Sequence, residues 1–198
     1  MQSMTQLLLI VTVATSALAL LGAGDLFAWF ALWPIGSGFA PWQLASYALL
    51  HGGLLHLAFN MYGLWLFGSE LERVWGPRRL LHYYVVCVLV AGAVQLIVAS
   101  DAPIPYPTVG ASGGLFGLLL GYAMLFPHRT IVLLIPPIPM PAWLFAVLFG
   151  VLELTLGLTG TQSGIAHFAH LGGMAGGWLM LRYWRGQPPF GNRRRHRG

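Results

Sequence analysis

Six apolar stretches recur along this chain, at roughly 4–23, 45–67, 80–100, 110–126, 140–159 and 164–183. A helix needs about 20 mostly apolar residues to cross a bilayer, and each stretch comes close to that length. Breakers separate them: GDLF and WPIGSGFAP, then GPRR, SDAPIPYPT, FPHR and GTQSG. The whole chain is 57% hydrophobic and only 8% charged over 198 residues, whereas soluble domains carry about 25% charged residues. The sequence therefore predicts an all-α polytopic membrane protein, one six-helix domain over 1–186. A basic tail, 187–198, is expected to be cytoplasmic and disordered. The fourth stretch is short and rich in glycine, which suits a buried helix shielded by its neighbours.

The charges give an orientation. All ten basic residues are arginine. Arg73, Arg78 and Arg79 follow the second stretch, Arg129 follows the fourth, and the other six lie at the end of the sixth (Arg182) and after it. The connections after the first, third and fifth stretches hold none. With positive charge retained on the cytoplasmic side, both termini are cytoplasmic and the span count is even. The tail reads as a topology determinant, so the net charge of +5 is not a signal for nucleic acid. The first stretch lacks the positive charge that precedes a cleaved signal peptide, so a retained helix is expected. Economy of extensions suggests a bacterial inner membrane. Cys87 is the single cysteine, which rules out an intrachain disulfide. Residues 24–44 carry Phe27, Trp29, Phe30, Trp33, Phe39 and Trp42 beside one charge, Asp25, as expected of a structured loop half-immersed in the interface.

Polar groups inside spans are costly and face the bundle interior or a wet cavity. Here they are His51, His56 and Asn60 in the second span, His82 and Gln95 in the third, and Ser112 in the fourth. Glu153 lies in the fifth, and His167 and His170 in the sixth. Ordered by direction of travel, the second, fourth and sixth spans all start at the outer face. His51, His56, Asn60, Ser112, His167 and His170 therefore converge in the outer half of the membrane. His56 and Asn60 are four apart and share a helix face. Glu153 is given no role, and no carboxylate is expected beside His170.

Gly113, Gly117 and Gly121 form one stripe, and Gly172–Gly176 and Gly173–Gly177 form others. Small residues every four positions let helix backbones approach closely. If the stripes face each other, Ser112 and His170 come within hydrogen-bonding reach. A serine hydroxyl is a weak nucleophile until a base takes its proton, and His170 can take it and return it to a leaving amine. The expected centre is a Ser112–His170 dyad. Its oxyanion would be met by the Ser112 N–H at a helix N-terminus and by the side chains of His56 and Asn60.

These residues resemble a known family. HLAFN (56–60), GASG (110–113) and AHLGG (169–173) are similar to the motifs of the rhomboid intramembrane serine proteases, and the resemblance covers nearly the whole chain. It implies Ser112 as nucleophile, His170 as general base, and His56 and Asn60 as oxyanion partners. It also implies transmembrane protein substrates cut near the outer membrane face, after small residues and without a cofactor. His51 matches a family histidine, and Glu72 resembles a structural glutamate. Two positions depart from the family pattern. Gln43 stands where arginine is frequent, which is expected to weaken loop anchoring. Phe116 stands where tyrosine is frequent, keeping the ring that stacks on the base and losing its hydroxyl.

Two rival classes follow from the same residues. A transporter or channel could use the histidines for metal binding or proton relay. A non-catalytic relative that only binds transmembrane helices should have lost Ser112 or His170, and this chain keeps both.

Overall fold

The computed structural model describes residues 3–22, 24–100, 104–133, 136–160 and 166–190. It is predominantly helical. Helix α1 (Met4–Leu20) is followed by short α2 (Leu26–Phe30) and α3 (Gln43–Ser46), then by α4 (Leu54–Trp75), α5 (Pro77–Ala99) and α6 (Ser112–Leu125). An antiparallel hairpin of β1 (Thr130–Val132) and β2 (Pro139–Pro141) leads into α7 (Ala142–Thr159) and α8 (His167–Trp184). Two of these helices, α5 and α7, are both long and apolar enough to cross a membrane, while α1 and α6 are apolar but shorter. The tail arginines from 193 onward and the connection 161–165 lie outside the described residues.

The second apolar stretch differs most from its expected bounds. Residues 45–53 are not part of a long helix. A single 3₁₀ turn covers Tyr47–Leu49, and Gly52 and Gly53 interrupt the chain before α4 begins at Leu54. The helix then runs through the charged SELER segment to Gly76, whose φ of +77° ends it. Glycine tolerates that left-handed geometry, and Pro77 starts α5 at the position where a missing N–H costs nothing. The β1–β2 hairpin was also not expected. Arg129, just before it, pairs with Glu70 of α4 at 2.6 Å.

Glycine sets the core geometry. A Cβ at Gly173 of α8 would collide with the carbonyl oxygen of Gly113 in α6. A Cβ at Gly117 would strike the Cys87 sulfur and lie 2.9 Å from the Gly173 oxygen, and one at Gly177 would lie 3.2 Å from the Gly117 oxygen. The two stripes therefore face each other as the sequence spacing predicts. Gly172 and Gly176 turn instead to Val94 and Val90 of α5. Helix α6 is thus clasped by α5 and α8, and on its other side Leu115 fills the space left by Gly63 of α4. The Tyr83 hydroxyl donates to the Gly117 carbonyl at 2.9 Å.

Polar ties hold the periphery. Glu72 accepts from the N–H groups of Met4 and Thr5 at 2.6 and 2.9 Å and from the Thr5 hydroxyl at 2.6 Å. A carboxylate at a helix N-terminus meets both free donors and the positive end of the helix dipole. In the loop before α4, the expected weak anchoring at Gln43 is not observed. Gln43 is buried. Its oxygen accepts from Trp33 N and Ala40 N at 3.2 Å, and its nitrogen donates to Gly38 and Trp29 oxygens at 3.3 and 3.4 Å. An amide both gives and takes hydrogen bonds, so it can tie four backbone groups where a cation could tie only acceptors.

Candidate active site

Ser112 is the first residue of α6, and the segment that delivers it is fixed from three sides. Leu32 and Thr108 exchange backbone hydrogen bonds at 2.9 Å, so the loop after α1 pins the approach. Gly110 donates to the Tyr47 carbonyl at 3.0 Å. Its φ is +128°, and a Cβ there would sit 3.0 Å from His56 Nε2 and 3.6 Å from Ser112 Oγ. Position 110 therefore needs glycine on both conformational and spatial grounds.

Ala111 N–H donates to His51 Nε2 at 3.3 Å. The opposite ring nitrogen, Nδ1, lies 2.9 Å from Ser16 Oγ, and that hydroxyl donates to the Leu49 carbonyl at 2.8 Å. With its one proton so used, Ser16 must accept from Nδ1. His51 is then neutral with its proton on Nδ1. It is wholly buried and supports the N-terminal turn of α6.

Beside this turn lies a cavity of about 750 Å³ lined by His56, Asn60, Ser112, Glu153, His167 and His170 among others. His170 Nε2 and Ser112 Oγ are 2.7 Å apart. The His170 ring lies parallel to Phe116, with centroids 4.4 Å apart and planes at 3°, so the stacked ring expected at position 116 is present without a hydroxyl. Asn60 donates to its own helix, from Nδ2 to the His56 carbonyl at 2.8 Å, and its Oδ1 is buried without a partner among the described residues. One Nδ2 hydrogen remains uncommitted. His82 is exposed on α5 and away from the cavity lining, and Gln95 donates to the Tyr106 hydroxyl at 3.5 Å.

One expectation is overturned here. A carboxylate does stand beside His170. Glu153 Oε2 lies 2.7 Å from His167 Nδ1 and 2.8 Å from His170 Nδ1. The contact to His167 is a well-directed hydrogen bond. The one to His170 is as short but off the N–H direction, which leaves Nδ1 without a proper partner. The sequence held a signal for this. Glu153 precedes the end of α7 at Thr159 by less than two turns, and His170 follows the start of α8 by one. Two antiparallel neighbours joined by a short loop bring such positions to similar depth.

Glu153, His167 and His170 offer three ligand atoms within 4.8 Å of one another. Ligands on tetrahedral zinc, at about 2.0 Å from the metal, lie about 3.3 Å apart. Separations of 2.7 and 2.8 Å fit shared protons better than a metal.

Known proteins match this chain over most of its length. The family model described as Rhomboid domain matches residues 38–186. Rhomboid protease GluP of Bacillus subtilis is 32% identical over 140 residues, covering 70% of this chain and 25% of that protein. Rhomboid protease GlpG of Pectobacterium atrosepticum is 30% identical over 185 residues, 91% of this chain and 62% of that protein. Rhomboid protein 1, mitochondrial, of Saccharomyces cerevisiae is 34% identical over 134 residues, 67% of this chain and 38% of that protein. The matched region thus spans between a quarter and just under two thirds of these relatives.

Proposed function

This chain belongs to the rhomboid family, and on that premise we propose that it is an intramembrane serine endopeptidase. Its substrates are transmembrane proteins, cut near the outer membrane face, and it works without a cofactor. The lipid bilayer is its solvent, through six spans with both termini cytoplasmic. The arginine distribution supports that topology.

The observation that carries the reading is the 2.7 Å separation of Ser112 Oγ and His170 Nε2 at the wall of a cavity. In the first step Oγ attacks the scissile carbonyl carbon while its proton passes to Nε2. The tetrahedral oxyanion lies against the Ser112 N–H, which at the start of α6 has no acceptor within its own helix. The His56 ring and the uncommitted Asn60 Nδ2 hydrogen are the side-chain donors. As the C–N bond breaks, the proton on Nε2 goes to the leaving amine. Water then hydrolyses the acyl-enzyme with His170 again as base. Phe116 holds the imidazole plane.

Fluorophosphonate labelling of the purified protein in detergent tests this. A labelled wild type, with Ser112→Ala and His170→Ala unlabelled but folded, supports an activated serine. A folded wild type that takes no label rejects it.

A further inference from the structure

The geometry points to Glu153 as a positioning residue for His170, turning the Ser112–His170 pair into a Ser–His–Glu relay whose carboxylate is shared with His167. This rests on the protease reading above. Among the described residues Glu153 is the one carboxylate lining the cavity, and it is buried, as are His167 and His170. A buried charge is tolerated only when paired, and both available partners are imidazole Nδ1 atoms on the same oxygen, at 2.7 and 2.8 Å.

An ionised carboxylate only accepts hydrogen bonds, so it selects the tautomer with the proton on Nδ1 in both rings. For His170 that leaves Nε2 as a lone pair 2.7 Å from the serine hydroxyl, the form a general base requires. When Nε2 takes the serine proton, the imidazolium forms against the carboxylate and not against bare hydrocarbon. His167 fixes the shared oxygen through its well-directed bond. The off-line approach to His170 is a ground-state geometry that can tighten as positive charge develops on the ring. No proton leaves Glu153 or His170 for the other: the carboxylate orients and stabilises, and the proton shuttles only between Ser112 Oγ, His170 Nε2 and the leaving amine.

The test measures the saturation kinetics of fluorophosphonate labelling for full-length wild type, Glu153→Gln and Glu153→Asp, with ¹⁵N spectra of the histidine rings. Replacing the carboxylate partner of a catalytic histidine by its amide costs about 10⁴ in serine triads. With the carboxylate shared and off-line, a fall of about 10–100-fold in maximal labelling rate is expected for Glu153→Gln. The half-saturating probe concentration should stay constant, and Glu153→Asp should keep more of the rate than Gln. A folded Glu153→Gln that labels at the wild-type rate overturns the inference. The wild-type spectrum decides independently of any variant's folding: His170 with its proton on Nδ1 supports the relay, and His170 protonated on Nε2 overturns it. A wild type that does not label refutes the protease reading alone, because the tautomer still reports on Glu153.

Discussion

The α6–α8 interface and helix α7 solve opposite problems with the same residue types. Between α6 and α8 the glycines bring backbone onto backbone, with Gly173 against the Gly113 carbonyl and Gly177 near that of Gly117. Helix α7 buries only Ala142, Phe145, Ala146 and Glu153, and it turns Trp143, Val147, Val151 and Leu158 outward. One region is close-packed, with backbone against backbone and no room for a side chain between them. The other is an apolar helix held to the bundle by a few side chains and one buried carboxylate. Ser112 and His170 sit on the close-packed pair, and Glu153 sits on the sparsely buried helix. The division places the groups that must keep a sub-ångström relation where the packing fixes it.

The largest effect that could break this comparison lies on the close-packed side. Ser112→Ala and His170→Ala should each reduce proteolysis by roughly 10⁶-fold, as loss of either member of a serine–histidine pair does, with thermal unfolding unchanged. Retained cleavage of a transmembrane reporter substrate by Ser112→Ala would remove the nucleophile from the scheme. Asn60→Ala comes next. It should slow turnover by about 10²–10³ if its amide meets the oxyanion, and full activity would exclude it. The remaining two tests form a matched pair, read by thermal unfolding in detergent. Gly173→Ala drives a Cβ into the Gly113 backbone and should destabilise by about 1–3 kcal/mol or more, with activity falling alongside. Gly150→Ala on α7 meets only Met174, at 3.5 and 3.7 Å. It should be neutral or stabilise by up to about 1 kcal/mol through helix propensity. Equal losses at positions 173 and 150 would mean that the two regions are packed alike.

Much of the α6–α8 geometry is legible in the sequence because two periodicities coincide there. The four-residue glycine stripes specify which faces meet, and the polar residues specify at what depth. Helix α7 has no such face. It is apolar nearly all round and long enough to cross a membrane, but its sequence does not say how it is rotated, and the direction of Glu153 depends on that rotation. The Gln43 anchor escaped for another reason. Its four partners are backbone groups of Trp29, Trp33, Gly38 and Ala40, and backbone acceptors and donors leave no mark in residue identity. The start of α4 differs from the expected one because Tyr47, Ala48 and Leu50 are as apolar as a span but are buried at a short 3₁₀ turn ahead of the helix.

Helix α1 lies before the region matched by the family model, yet it is tied to the bundle at both ends by polar contacts. Thr5 and the backbone of Met4 meet Glu72 at one end, and Ser16 meets His51 at the other. These are plug-and-socket contacts: the half-buried Glu72 and the buried Thr5, Ser16 and His51 each lose a mate when the other side is missing. A split version of the protein, with residues 1–23 and 24–198 expressed as separate polypeptides, therefore carries its own addressing. The fragment that holds the serine is expected to recruit the missing helix through the same two ties that seat it in the intact chain, and co-purification of the two pieces, lost on Glu72→Ala with Ser16→Ala, checks it.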